Sequence, residues 1–251
     1  MGASEYDVIV VGAGPAGASA AREAARGGAR VCLLEQGREI GAPIRTSGGS
    51  FISELDALGI EPRFYHPLHR VTFESPAQRA SFEFPRPVLC VLDVRALYQE
   101  LARQAAEAGA EIRLGSEVVD AVRDGAAVRG VSVRREGGTD TLRARLVVDA
   151  SGFSAVVQRR AGLRPPFRRF GFGAELDLYA PGCDEWEAVL IVGSSVAPAG
   201  YGWLFPRGGA RARVGVGVLR PDSDAMPRDY LERLVRETWR ERLRAAQPLE
   251  Y

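Results

Sequence analysis

The sequence predicts an α/β protein in two parts: a mainly parallel sheet continued by a β-meander, then an antiparallel-sheet domain. Three observations carry this reading. A strand, a glycine-rich turn, a helix and a second strand open the chain around Gly12-Ala-Gly14-Pro-Ala-Gly17. Short strand patterns separated by glycines fill 111–149. Beyond Gly162, strand patterns follow one another with Gly and Pro turns and no helix until Pro227. With 251 residues, 46% of them hydrophobic, the chain is long enough for a packed core without disulfides or metals.

Asp7-Val-Ile-Val-Val-Gly12 is a β-branched apolar run ended by glycine, the pattern of a buried parallel strand. Pro15 suits a first helical turn, and the alanine-rich stretch Ala16–Arg26 continues the helix until Gly27 and Gly28 stop it. Arg30–Leu34 repeats the strand pattern. From Ala42 to Pro67 the composition of Gly, Pro, Ser and Arg predicts mostly loop, with one helical patch at Ile52–Leu58. Alternation at Val71 and Phe73, and at Phe82 and Phe84, predicts two short strands. Asp93 is placed to cap a helix whose inner face is Leu97, Leu101, Ala105 and Ala108, closed by Gly109.

Glu111–Leu114, Glu117–Arg123, Val128–Arg135 and Thr139–Arg143 read as a parallel strand followed by a meander, and Leu146–Asp149 as a further strand returning to the first sheet. The prolines and Arg168-Arg169 after Gly162 mark a domain boundary. Strands are then expected at Phe170–Tyr179, Ala188–Val192, Tyr201–Phe205 and Arg211–Leu219. A helix opened by Pro227 closes the chain, with Leu231, Leu234, Val235, Thr238 and Trp239 as its apolar stripe.

Composition excludes several chemistries. The 33 basic residues are all arginine, set against 32 acidic ones, for a net charge of +1. No lysine means no Schiff-base enzyme and no phosphate loop ending in Gly-Lys-Ser/Thr. No segment offers the basic patch that nucleic acid requires. Cys32, Cys90 and Cys183 are too widely spaced for a zinc site or disulfide framework, which fits a reducing compartment. With a strand pattern starting at Tyr6 and no leader or spanning run, the expected location is the cytoplasm. Pro67 separates His66 from His69, and no Cys or third His completes a metal set, so no metal is expected. The arginines of 236–244 read as a solvated face, with a peripheral contact to anionic lipid as the alternative.

The glycine hexamer follows a strand and opens a helix, and an acid, Glu35, ends the next strand. Each part has a physical task. Gly12 permits the tight turn, Gly14 admits a pyrophosphate to the backbone, and Gly17 lets the helix pack closely. The helix N-terminus presents amides to the anion. Glu35 suits ribose hydroxyls and would repel a 2′-phosphate, so NADP is disfavoured there. FAD and NAD share the ADP half, and the hexamer alone does not separate them.

Later segments point to FAD. The βαβ unit, the helix after Asp93, the meander and Leu146-Val-Val-Asp149-Ala-Ser151-Gly152-Phe-Ser154 together resemble the FAD enzymes that include p-hydroxybenzoate hydroxylase-type monooxygenases and geranylgeranyl reductases. Asp149 and Gly152 match a second cofactor motif of that class. Ser151 stands where the hydroxylases have Asp, closer to the reductases. Pro198-Ala-Gly-Tyr201-Gly-Trp203-Leu-Phe205-Pro206-Arg207-Gly208 is similar to the Tyr-x-Trp-x-Phe-Pro signature of the geranylgeranyl reductases. The strand period of two puts Tyr201, Trp203 and Phe205 on one face as an aromatic wall. Glycines within Val214-Gly-Val-Gly-Val218 are expected to leave space beside that wall for a flat ring or a lipid tail. Gly41-Ala-Pro-Ile-Arg45-Thr46-Ser47-Gly48-Gly49 falls where the reductases have Pro-Val-Arg-Cys-Gly; Arg45 matches and Thr46 replaces the cysteine. Asp93-Val94-Arg95 resembles an Asp-Arg pair with one residue inserted.

The resemblance implies a Rossmann-like FAD-binding domain over 1–165, with inserted strands around 68–90, and an antiparallel substrate-domain sheet with its closing helix over 166–251. It implies cofactor contacts from Gly12, Gly14, Ala16, Gly17, Glu35, Gln36, Arg45, Ser47, Arg95, Val119, Asp149 and Gly152, and substrate contacts from Tyr201, Trp203 and Phe205. No catalytic residue is assigned. The activity implied is FAD-dependent reduction of C=C bonds in a prenyl lipid or similar apolar small molecule, with NAD(P)H or ferredoxin as external electron donor. A flavin monooxygenase or halogenase is the alternative, against which Ser151 weighs. The family's third motif, Gly-Asp-Ala-Ala, has no counterpart, so the chain reads as a fragment or truncated product, and a non-catalytic FAD-binding fragment is the third reading.

Overall fold

A computed structural model describes residues 5–250 and separates them into two compact units, one up to Arg45 with Val94–Pro166, the other Thr46–Asp93 with 167 onward. The segment 46–93, read from the sequence as part of the first domain with inserted strands, therefore belongs to the second unit. The reason is a pairing that local patterns do not encode: Arg70–Glu74 runs parallel to Glu187–Val192, with Val71 opposite Ala188.

The first unit is built on a six-stranded sheet in the order Glu111–Arg113, Val31–Leu34, Tyr6–Val11, Gly138–Asp149, Ala127–Arg135, Glu117–Asp124. Its first four strands are mutually parallel and the last two close an antiparallel meander. Thr139–Arg143 and Leu146–Asp149, expected as separate strands, are one. The first half of Gly138–Asp149 pairs antiparallel with Ala127–Arg135 and the second half parallel with Tyr6–Val11, so a single strand joins meander to sheet.

The two central parallel strands, Tyr6–Val11 and Val31–Leu34, are buried on both faces, which explains their apolar runs. Ile9, Val11, Cys32 and Leu34 face the meander residues Val131, Val133 and Leu142. Val8, Val10, Val31 and Leu33 face Ala21 and Ala25 of the Pro15–Arg26 helix and Ala102 and Ala105 of the Val94–Glu107 helix. Alanines on both helices let them lie close to the sheet.

The second unit has a seven-stranded sheet in the order Gln247–Glu250, Phe170–Tyr179, Arg211–Arg220, Gly200–Gly208, Glu187–Val192, Arg70–Glu74, Arg79–Glu83. A three-stranded sheet of Gly49–Phe51, Leu89–Leu92 and Tyr65–Leu68 accompanies it. The stretch expected as mostly loop thus holds two strands, and Leu89–Leu92 was not anticipated. Pro67 is compatible because its strand is at a sheet edge. The closing helix is shorter than expected: Pro227–Arg233 passes into a π-helical turn, Leu234–Thr238, and a final strand follows. Leu231, Leu234 and Trp239 nevertheless bury the anticipated stripe against Val189, Ile191 and Val214. No helix of the described residues is long and apolar enough to cross a membrane.

Candidate functional sites

In the first unit, a cavity of about 490 Å³ opens at the carboxyl ends of the parallel strands, lined among others by Gly12, Gly14, Ala16, Glu35, Gln36, Ser116 and Gly152. This is where parallel α/β sheets bind ligands, because the following helix N-termini and turns converge there. Gly12 has φ +97°, and a Cβ on it would lie 2.6 Å from the Ala150 carbonyl oxygen. At Gly17 a Cβ would lie 1.8 Å from the Gly12 carbonyl oxygen, so helix and turn touch backbone to backbone. Nothing lies within 4 Å of a Cβ on Gly14. That open space sits over the first turn of a helix whose first intrahelical bond is Ala18 N–H to Gly14 O, at 2.9 Å. An open space at a helix N-terminus is where a diphosphate binds in such turns.

Glu35 spans the mouth of the turn. Its carboxylate accepts the amide of Ala13 at 2.9 Å and that of Gly37 at 2.8 Å, which fixes the ends of both strand-to-loop turns. Two lone-pair directions remain for ribose hydroxyls.

The other sequence candidates fall elsewhere. Asp149 is not among the cavity-lining residues. Its carboxylate accepts the Ser151 hydroxyl at 2.5 Å and the Gln158 amide at 2.8 Å, bracing the turn that presents Gly152. Val119 is half-buried beside Val118, which does line the cavity. Arg45 is exposed, and Arg95 is exposed and paired with Glu39. Ser47 belongs to the second unit and lines its cavity.

That second cavity, about 830 Å³, is bounded by Phe51, Leu68, Val71, Phe73, Leu89, Val91, Leu190, Tyr201, Phe205 and Leu219, with Ser47, Ser50 and Cys90 as its polar or thiol members. It lies where the three-stranded sheet meets the Arg70–Glu74, Glu187–Val192 and Gly200–Gly208 strands. Periodicity in the sequence marked Tyr201 and Phe205 for the site, whereas Phe73 and Leu190 were marked only as strand residues and Phe51 not at all. Burial pushes the Cys90 thiol up to about 12, so it is a neutral apolar group at ordinary pH.

The aromatic wall exists but differs from expectation. Tyr201 and Trp203 have ring centroids 5.7 Å apart, and Trp203 and Phe205 6.4 Å. Tyr201 and Phe205 line the cavity, whereas Trp203 is buried and does not. The space expected beside the wall at the 215 and 217 glycines is filled by the Trp203 indole itself, which would stand 2.1 Å from a Cβ on Gly215 and 3.5 Å from one on Gly217.

Beneath the cavity a buried ionic cluster holds the loop. Arg213, 1% exposed, donates to both oxygens of Asp177 at 2.7 and 2.9 Å, and to the carbonyl of Thr46 at 2.9 Å. Arg207 donates to Asp177 at 2.5 Å, and burial pushes its guanidinium pKa down. No sequence pattern singled out Arg213. His66 stacks on Trp186 with centroids 5.1 Å apart, and its Nε2 lies 2.6 Å from the Glu185 carbonyl oxygen. Arg242, expected on a solvated face, instead pairs with Glu74 at 2.8 Å.

Residues 7–165 match the family model of FAD dependent oxidoreductases, and residues 176–250 match the geranylgeranyl reductase catalytic domain. A digeranylgeranylglycerophospholipid reductase of Methanoculleus marisnigri is 36% identical over 242 residues, covering 92% of this chain and 61% of the relative. One from Methanopyrus kandleri is 35% identical, covering 92% and 59%. The chain thus spans about three-fifths of the length of these relatives. A geranylgeranyl bacteriochlorophyll reductase-like protein of Thermoplasma acidophilum superposes with a TM-score of 0.87 at 28% identity, over 98% of this chain and 64% of that one. A flavin-dependent brominase shares the fold at TM-score 0.76 and 19% identity, over 98% and 67%. The glycine cradle, the Glu35 brace and the matched stretches lead to one assignment: the chain belongs to the FAD-dependent oxidoreductases, with FAD as cofactor, and its second unit contains the stretch that is similar to the geranylgeranyl reductase catalytic domain.

Proposed function

We propose that the chain holds FAD in its first unit and reduces C=C bonds of a prenyl lipid whose tail enters the apolar cavity of its second unit. The observation that carries this reading is the hydrocarbon lining of the 830 Å³ cavity, part of which comes from the stretch that matches the geranylgeranyl reductase catalytic domain. FAD in its reduced form supplies the hydride, with NAD(P)H or ferredoxin as the external electron source. The protein's share is binding and exclusion. Gly12, Gly14, Ala16, Gly17, Glu35, Gln36 and Gly152 form the dinucleotide cradle, and Asp149 holds its second turn in place. Tyr201, Phe205, Phe51 and Phe73 remove the tail from water, at roughly 0.8 kcal/mol per buried methylene. Trp203 packs between Tyr201 and Phe205 and steadies that wall. A peripheral membrane contact accompanies this reading, since a diprenyl lipid leaves a bilayer to enter the cavity.

The test is anaerobic incubation of the chain with FAD, dithionite and a geranylgeranyl lipid, followed by mass analysis. Each reduced double bond adds two hydrogens to the product mass. In a parallel aerobic incubation with NAD(P)H in place of dithionite, substrate-dependent oxygen consumption with hydroxylated product, and no saturated product in either incubation, would replace this reading by the monooxygenase one.

A further inference from the structure

Gly49 and Phe205 face each other across one side of the apolar cavity, and both line it. Gly49 lies in the Gly49–Phe51 strand opposite Val91 and is not in the left-handed region, so its backbone accepts other residues. Its surroundings do not. A Cβ there would lie 3.1 Å from Cε2 and 3.6 Å from Cζ of Phe205. Contact that close obliges one partner to give.

The loop leading into Gly49 is anchored by the buried Arg213, whose Nη1 donates to the Thr46 carbonyl at 2.9 Å while its Nη2 pairs with the half-buried Asp177. Trp203 lies beside Phe205, ring centroids 6.4 Å apart, and is itself seated over Gly215. Phe205 lines the cavity, so a ring that yields to a side chain at position 49 changes the bore.

We propose that Gly49 is the specificity-determining residue of this cavity: by having no side chain it keeps the Phe205 ring back and makes the bore wide enough for a methyl-branched hydrocarbon chain, not only a linear one. This rests on the reading that the cavity takes a hydrocarbon tail. A methyl branch thickens an isoprenoid chain at regular intervals, whereas a linear chain of the same length has a uniform narrow section. A narrowed bore therefore penalises the branched chain selectively.

The experiment is a tryptophan-fluorescence titration of the chain with phytanol and with hexadecanol, two saturated alcohols of equal main-chain length, alongside thermal melts. Wild type should bind phytanol at least as tightly as hexadecanol. Gly49→Ala should weaken phytanol by about tenfold or more, the scale on which a pocket discriminates a methyl group, while hexadecanol changes by less than about threefold. Gly49→Ala combined with Phe205→Leu should restore phytanol, because the smaller side chain returns the bore. Phe205→Leu alone tests the idea if the glycine variant does not fold, and should raise the phytanol-to-hexadecanol preference. Equal losses of both alcohols in Gly49→Ala with an unchanged melt would overturn the proposal, as would an unchanged preference in Phe205→Leu. Wild type that binds neither alcohol would overturn the hydrocarbon reading of the cavity itself.

Discussion

The indole of Trp203 occupies the room that Gly215 leaves on the neighbouring strand. The two are directly paired in the antiparallel ladder, and a Cβ on Gly215 would stand 2.1 Å from Cζ2 of the ring. Wall and glycine are two halves of one packing unit. Gly215→Ala should destabilise by about 1–3 kcal/mol through overpacking, and Trp203→Ala by about 3–5 kcal/mol through the void it leaves. Urea denaturation of the two single variants and the double variant measures their coupling. A double variant whose loss equals the sum would show that they do not act as a unit.

The three glycines of the cofactor turn should separate by mutation. A Cβ on Gly14 meets nothing within 4 Å, so Gly14→Val should cost only about 1 kcal/mol, the scale of a poorer helix cap, yet abolish ADP and FAD binding by filling the diphosphate space. Gly17→Ala places its methyl 1.8 Å from the Gly12 carbonyl oxygen and should unfold the turn, lowering stability and binding together. Melts with and without ADP distinguish the two patterns.

Glu35→Gln keeps the shape of the side chain but offers one neutral acceptor oxygen where the carboxylate offered two, so either the Ala13 or the Gly37 amide faces an NH2 donor. ADP-ribose affinity should fall by about tenfold, the scale of one charge-assisted hydrogen bond. Calorimetric titration reads this, and unchanged affinity would remove Glu35 from the ribose site.

Asp149 should act on stability first. Removing its carboxylate in Asp149→Ala frees the Ser151 hydroxyl and the Gln158 amide, for a loss of about 1–3 kcal/mol. FAD affinity should fall only as the Gly152 turn loosens, and high FAD concentration should recover occupancy. Loss of binding with full stability would instead place the carboxylate on the cofactor.

Alkaline pH should weaken the fold. Burial raises the Cys32 thiol from 9.0 to about 11 and the Cys90 thiol from 9.0 to about 12. Folded-state values above the unfolded ones mean that this contribution is complete below pH 9 and is lost as pH rises toward 11–12. Denaturation midpoints from pH 8 to 11 should decline, and Cys90→Ala should flatten the decline. Iodoacetamide at pH 8 should modify both thiols more than about tenfold slower than free cysteine.

The nucleotide-binding unit was legible in the sequence because each of its signals is local. A β-branched run, a glycine hexamer, an alanine helix and an acid at the next strand end act within one βαβ segment. The left-handed φ of Gly12 and the contact of Gly17 with the Gly12 carbonyl are set within that segment, whereas the close approach of Gly12 to Ala150 needs the returning strand. The Tyr201, Trp203, Phe205 alternation was equally local, and it set the common face correctly. What filled the opposite glycines was a matter of register: only the pairing of Trp203 with Gly215 decided that the indole, not a ligand, takes that space. In the segment 46–93 the helical patch at Ile52–Leu58 and the strands around Val71 and Phe82 were legible, but their placement was not, for the same reason. Its short strands carry weak periodicity, and they acquire a place only by pairing with strands far along the chain, Val71 with Ala188 and Gly49 with Val91. The apolar cavity, assembled from those pairings and held by the Arg213 contact to Thr46, exists only in three dimensions. Period and turn chemistry act between neighbours in sequence, whereas a cavity is defined by side chains that meet across the fold.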